Sequence, residues 1–167
     1  MKTMRFLLIV FFINFAFIPL AFPMGDAMML QGQYHLKGKP APDFTLNTSA
    51  GEKSSLSAVR QQKRAIIFFW ATWCPHCRAE LRSLNTRLNE LQSQGIEIIL
   101  VDLAESHSQV ENYLKQNNIA VKSFLDEDNA VAEEYGIIGV PTLFFVGADG
   151  VVRAVENELP ENIEKAF

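Results

Sequence analysis

Hydrophobic positions fall into three kinds of run along this chain. One is unbroken: Phe6 to Phe22 is almost wholly apolar, and no charge falls between Phe6 and Gly25. A second kind is short and continuous. Ala65-Ile-Ile-Phe-Phe-Trp70 and Ile96-Glu-Ile-Ile-Leu-Val101 have strand length and apolar residues on both faces, which predicts strands buried on both sides. The third is periodic. Cys77, Leu81, Leu84, Leu88 and Leu91 recur at spacings of four, three, four and three, one face of a helix over Pro75–Gln92 that Gly95 ends.

The remaining patterning is weaker. Lys39-Pro-Ala-Pro-Asp43 is stiff and extended, because its prolines block helix. Phe44–Leu46 and Ser54–Leu56 flank a turn at Ala50-Gly51-Glu52 and predict a short hairpin. Beyond Gly95 the chain predicts a helix over Ser108–Gln116, a strand over Val121–Leu125 and a helix over Asp128–Tyr135, stopped by Gly136. Thr142–Val146 and Val151–Val155 read as strands around the hairpin signal Gly147-Ala-Asp-Gly150, and Pro160–Phe167 as a closing helix with proline at its start. Alternating strands and helices imply an α/β fold: a central mixed sheet flanked by helices, with an N-terminal β-hairpin.

The apolar run with Lys2 and Arg5 ahead of it has the layout of an export segment. Residues 1–25 are therefore expected to be a cleaved signal peptide or an uncleaved membrane anchor, 26–39 a linker, and 40–167 the folded domain. No cysteine follows the segment closely enough for lipid attachment. The rest of the chain is then expected outside the cytoplasm, in the periplasm or its equivalent, where disulfides persist.

Charge narrows the partners. The net charge is −4; without Lys2 and Arg5 the remainder carries 13 basic and 19 acidic residues, about −6. An acidic surface without a Lys/Arg cluster excludes a nucleic-acid binder, since phosphate neutralisation needs basic side chains.

The chain has two cysteines, Cys74 and Cys77, in Trp73-Cys-Pro-His-Cys77 between a buried strand and a helix. Cys74 falls where unpaired helix N–H groups and the helix dipole favour an anion, so its thiolate is stabilised and nucleophilic. Pro75 suits the first helical position. Cys77 heads the apolar stripe and is expected to lie shielded beneath Cys74. Cys74 would then be the exposed nucleophile, and Cys77 would resolve the mixed disulfide. Two other readings stand beside this one. A lone staple would close a tiny loop and constrain little of the unfolded chain. A zinc half-site would need two further ligands, and the histidines are only His35, His76 and His107.

Phe69-Trp-Ala-Thr-Trp-Cys-Pro-His-Cys-Arg78, with Gly139-Val-Pro-Thr142 downstream, resembles the thioredoxin superfamily. Pro42-Asp-Phe-Thr-Leu46, Glu80 and Phe145-Val-Gly-Ala-Asp-Gly150 bring it nearer to the TlpA/ResA-like exported thiol-disulfide oxidoreductases, which include the reductases of cytochrome c maturation. The resemblance runs from about Pro40 to Phe167. It implies a thioredoxin-like fold, no cofactor and no metal. The implied activity is reduction of disulfides in exported proteins, with electrons from a membrane partner. It further implies that Pro141 is a cis-proline facing the disulfide, that Val140 pairs with an extended substrate chain, and that Trp73, Pro75 and His76 line the contact surface.

Three features depart from the pattern. Phe68 stands where thioredoxin has a buried acid, so Glu80 is the candidate proton carrier for Cys77, unless it only complements the helix dipole in the first turn. Arg82 stands where the family has proline. Pro75-His76 is the dipeptide of DsbA-type oxidases, in which a protonated histidine stabilises the thiolate and makes the pair more oxidising. Only about 60 residues separate Cys77 from Pro141, too few for the DsbA helical insertion. An oxidase or isomerase, and a non-catalytic binding module on the same scaffold, remain the alternatives.

Overall fold

The computed structural model describes residues 34–167. The expected export segment, and the linker up to residue 33, lie outside the described residues. Among the described residues, no helix is long and apolar enough to cross a membrane.

The elements run β1 (Thr45–Thr48), β2 (Lys53–Ser55), α1 (Leu56–Arg60), β3 (Arg64–Trp70), α2 (Pro75–Ser93), β4 (Ile96–Leu103), α3 (His107–Gln116), β5 (Ser123–Asp126), α4 (Ala130–Glu134), β6 (Thr142–Val146), β7 (Val152–Glu156) and a closing 3-10 turn, Ile163–Ala166. Within the described residues they build one seven-stranded sheet in the order β2-β1-β5-β4-β3-β6-β7. β3, β4 and β5 are parallel, and β6, β7, β1 and β2 join antiparallel to their neighbours.

Strand alternation divides the core. Ile66, Phe68, Trp70, Ile98, Leu100, Leu125, Leu143 and Phe145 face one side, under Cys77, Leu81, Leu84 and Leu91 of α2 and Val110 and Leu114 of α3. Ala65, Ile67, Phe69, Ile99, Val101, Phe124 and Phe144 face the other, under Leu56 of α1 and Val131 and Tyr135 around α4. Successive crossovers of one hand put α2 and α3 on the same face. Both faces of β3 are therefore dry, which is why its run is continuously apolar.

Some expectations shift. Leu56 does not extend the hairpin strand; it opens α1. Ser55 caps that helix, its Oγ accepting the Ala58 N–H at 3.1 Å, while Asp43 accepts the Ser57 N–H at 2.9 Å. The strand expected at Val121–Leu125 runs Ser123–Asp126. α4 is shorter than expected because buried Asp126 accepts the Val131 and Ala132 N–H groups at 3.1 and 2.8 Å, which starts the helix at Ala130. The closing helix is a 3-10 turn. Its buried residues, Ile163 and Ala166, are three apart, the period of that helix. Within the expected linker, Leu36 is buried and Gly38 donates to the Val152 carbonyl at 2.8 Å, so residues 36–41 run along the start of β7.

Candidate active site

β3 ends at Trp70, and Ala71-Thr72-Trp73 carries the chain to the start of α2. Cys74 is the N-cap and Pro75 the first helical residue. Cys74 is extended there, with φ −86° and ψ 111°. The Cys77 N–H donates to Cys74 Sγ at 3.1 Å, so one of the unpaired amides of the first turn is turned on the sulfur. The two cysteines are joined in a disulfide with Cα atoms 5.2 Å apart. Cys77 is fully buried and Cys74 keeps 4% of its surface. Cys74 is thus less exposed than the sequence suggests, because it sits behind its neighbours: Trp73 is 66% exposed, and Pro75 and His76 are also on the surface.

The loop before β6 meets the disulfide from the other side. The Val140–Pro141 peptide is cis, and the Val140 carbonyl oxygen lies 3.6 Å from Cys74 Sγ. Thr142 Oγ1 donates to the Gly139 carbonyl at 2.8 Å and Asn157 Nδ2 to the Pro141 carbonyl at 2.9 Å, which fixes this loop on β6 and β7. A shallow groove of about 240 Å³ opens beside it, between Trp73, Leu103, Ile137, Ile138 and Val140, with Glu133 on its rim. Ile138 is 62% exposed. A larger cavity, about 290 Å³, lies at the opposite ends of the parallel strands against Val59, Leu88, Ile98 and Val121, away from the cysteines.

A helix N-terminus with an oxidised cysteine pair at its cap, faced by a proline loop, is the arrangement of a dithiol–disulfide exchanger. The sequence profile of the AhpC/TSA family matches residues 37–155. The chain belongs to the AhpC/TSA family. It is 31% identical over 128 residues to thiol-disulfide oxidoreductase ResA of Bacillus subtilis (strain 168), covering 76% of this chain and 71% of that protein. It is likewise 31% identical over 121 residues to thiol:disulfide interchange protein DsbE of Escherichia coli (strain K12), covering 71% and 63%. Among solved structures, a putative thiol:disulfide interchange protein DsbE from Chlorobium tepidum aligns with TM-score 0.69 and 26% identity over 77% of this chain and 91% of that one. StoA from Bacillus subtilis aligns with TM-score 0.62 and 26% identity over 75% and 93%. This family member is a protein thiol-disulfide oxidoreductase.

In this oxidoreductase Glu80 is the sixth residue of α2, so the first turn holds no acid and the dipole reading does not apply. Its Oε2 accepts the Leu159 N–H at 2.9 Å, tying the segment after β7 to the helix. Phe68 is fully buried in the cluster that contains Cys77.

The sequence reading missed a polar network beside the cysteine loop. Glu105 is 5% exposed and accepts from the Thr72 N–H, from Thr72 Oγ1 at 2.6 Å and from Gln109 Nε2. It therefore holds the loop two residues before Cys74. Asp102, near the end of β4, is fully buried, and neither carboxyl oxygen has a hydrogen-bond partner of normal geometry. Burial first, and then the neighbouring Glu105, push its carboxyl up to about 9. One signal for Asp102 was in the sequence, a lone acid directly following an apolar strand run. The apolar run itself ends at Val101, while β4 continues to Leu103.

Proposed function

We propose that this protein reduces disulfides of exported proteins outside the cytoplasm, with Cys74 as the sulfur exchanged with substrate and Cys77 as the resolving thiol. The observation that supports these roles is the asymmetry of the disulfide. Cys74 Sγ lies at the cap of α2, turned to the Val140 carbonyl, whereas Cys77 is sealed under the apolar stripe. A substrate disulfide, or the thiolate of a reducing partner, reaches Cys74 and not Cys77. In reduction the Cys74 thiolate attacks a substrate disulfide, giving a mixed disulfide and one substrate thiolate. Cys77 then attacks Cys74 Sγ, closing the internal bond and releasing the second substrate thiolate. An incoming donor thiolate that attacks Cys74 breaks the internal bond in that step and releases Cys77.

An extended substrate strand lies along Val140 and Pro141, with Trp73, Pro75 and His76 forming the surrounding surface and the Ile138 groove accepting an apolar side chain. Residues 1–25 export or anchor the domain formed by residues 40–167, with residues 26–39 between them. Electrons arrive from a membrane-bound dithiol partner. The paired cysteines of haem-attachment sites in apocytochromes c are the substrate class that the resemblance to the TlpA/ResA-like oxidoreductases suggests. The competing direction, oxidation, draws its support from exposed His76 between the cysteines.

Trapping in the native host tests the roles. Cys77→Ser is expected to accumulate mixed disulfides with exported proteins, and Cys74→Ser to abolish both exchange and trapping. Accumulation of mixed disulfides in Cys74→Ser, with none in Cys77→Ser, overturns the assignment.

A further inference from the structure

Opening the Cys74–Cys77 bond leaves a thiolate on Cys77, in a fully apolar setting that disfavours charge. A proton has to reach that sulfur. Phe68 carries none, and the Glu80 carboxylate accepts the Leu159 amide.

Asp102 stands on the same side of the sheet as Cys77. Its register partners are Trp70 on β3 and Leu125 on β5. Both pack into the cluster that holds Cys74, Cys77 and Leu143. It lies at the carboxyl end of β4, and β3, parallel to it, leads from its own carboxyl end into the cysteine loop. A fully buried carboxyl with no hydrogen-bond partner of normal geometry, and with the Glu105 carboxyl as its polar neighbour, costs stability and calls for an explanation. Packing does not provide one, because the Trp70 indole N–H is already committed to Ser123 Oγ at 3.1 Å.

We propose that Asp102 holds the proton that Cys77 takes up when the disulfide opens and returns when it closes. The inference rests on the roles proposed above for Cys74 and Cys77. A thiolate of a reducing dithiol attacks Cys74 Sγ, the S–S bond breaks, and its electron pair passes to Cys77 Sγ. The Asp102 carboxyl proton follows it, leaving a carboxylate that regains a proton from solvent. In the reverse direction the Asp102 carboxylate takes the Cys77 proton as that sulfur attacks the mixed disulfide.

Glu105 is a positioning residue in this scheme. Its carboxyl accepts from Thr72 and Gln109, and its side chain and negative charge beside Asp102 favour the protonated form of Asp102. Beside Asp102 in the sheet are Trp70 from β3 and Leu125 from β5, and α2 with its Cys74–Cys77 end packs on the same face. Glu105 comes from the loop after β4, and α3, packed on the same face of the sheet, carries His107 in its first turn. His107 shares its helix face with Val110 and Leu114, and its Nε2 is buried without a hydrogen bond.

The test is the rate at which dithiothreitol reduces the oxidised full chain, expressed per reductant thiolate, from pH 6 to 10.5. The wild-type rate is expected to fall through a break near the Asp102 value of about 9. Asp102→Asn is expected to lose at least about tenfold at pH 7 and to lose the break, as removal of a general acid does. Glu105→Gln is expected to move the break to lower pH, because a like charge is gone. Glu80→Gln is expected to leave the break in place. A purely structural role for Asp102 gives a slower or less stable protein with an unmoved break. An Asp102→Asn rate within twofold of wild type, a retained break, or a break that only Glu80→Gln removes overturns the proposal. Should Asp102→Asn not fold, Glu105→Gln decides it: a break that does not move overturns it. A small dithiol needs no docking surface, so this result is separate from substrate trapping. Reversed trapping between the two cysteine variants sinks the assigned roles, whereas an unmoved break with normal trapping sinks only the part given to Asp102.

Discussion

A carboxyl that stays protonated in the folded protein and ionises in the unfolded chain ties stability to pH. Asp102 is raised from 3.8 to about 9, chiefly by burial and next by Glu105. Between those values the folded state binds the extra proton, so stability is full below about 4 and falls as pH rises through about 9. The slope contributed is at most about 1.4 kcal/mol per pH unit. Urea midpoints measured at pH 5, 7 and 8.5 are expected to decline more steeply for wild type than for Asp102→Asn. Parallel declines contradict the protonated burial of Asp102. Asp126 is also raised, mainly by burial, but it is common to both proteins and cancels in the comparison. At this scale the sequence announced the residues whose chemistry is local: Cys74, Cys77, Pro75 and Trp73 form one contiguous block. Asp102 and Glu105 were not legible. Their significance comes from the register of β4 against β3 and from the contacts of Thr72 and Gln109, which join residues more than thirty positions apart in the chain.

Elements whose signal is periodic apolar spacing were readable, and those set by side-chain caps were not. α2 was delimited nearly to its observed bounds, because Leu81, Leu84, Leu88 and Leu91 mark one face and Pro75 and Gly95 mark its ends. α1 depends instead on Ser55 and on Asp43, fourteen residues before Ser57. The start of α4 depends on Asp126 in the preceding strand. Both are side-chain caps on helix amides, which leave no periodic apolar signal in the chain. The apolar stripe of α2 also supports the disulfide, since it seats Cys77 on the sheet. Leu84 is 1% exposed within it. Leu84→Ala is expected to cost about 2–5 kcal/mol, the range for large-to-small changes in a packed core. Chemical denaturation checks this, and a loss below about 1 kcal/mol would contradict the packing described here.

For the molecule as a whole, strand–helix alternation was enough to foresee a mixed sheet with helices on its faces. It did not foresee that β5 would separate β4 from the β1–β2 hairpin. Topology brings the redox centre together from two distant places. The β3–α2 junction supplies the cysteines, and the turn into β6 supplies Val140 and Pro141. The C-terminal segment is fastened back onto this frame: Glu164 pairs with both Arg64 guanidinium nitrogens at 2.8 and 3.1 Å, Arg64 lies over the Phe167 ring, and Leu159 is held by Glu80. The direction of electron flow is set by the reduction potential of this centre, on which the proposed reductase role and exposed His76 pull apart. Equilibration of the full chain with dithiothreitol buffers gives the reduction potential of Cys74–Cys77. A reductase requires a value near that of thioredoxin, about −270 mV, and a value near that of DsbA, about −120 mV, would contradict it.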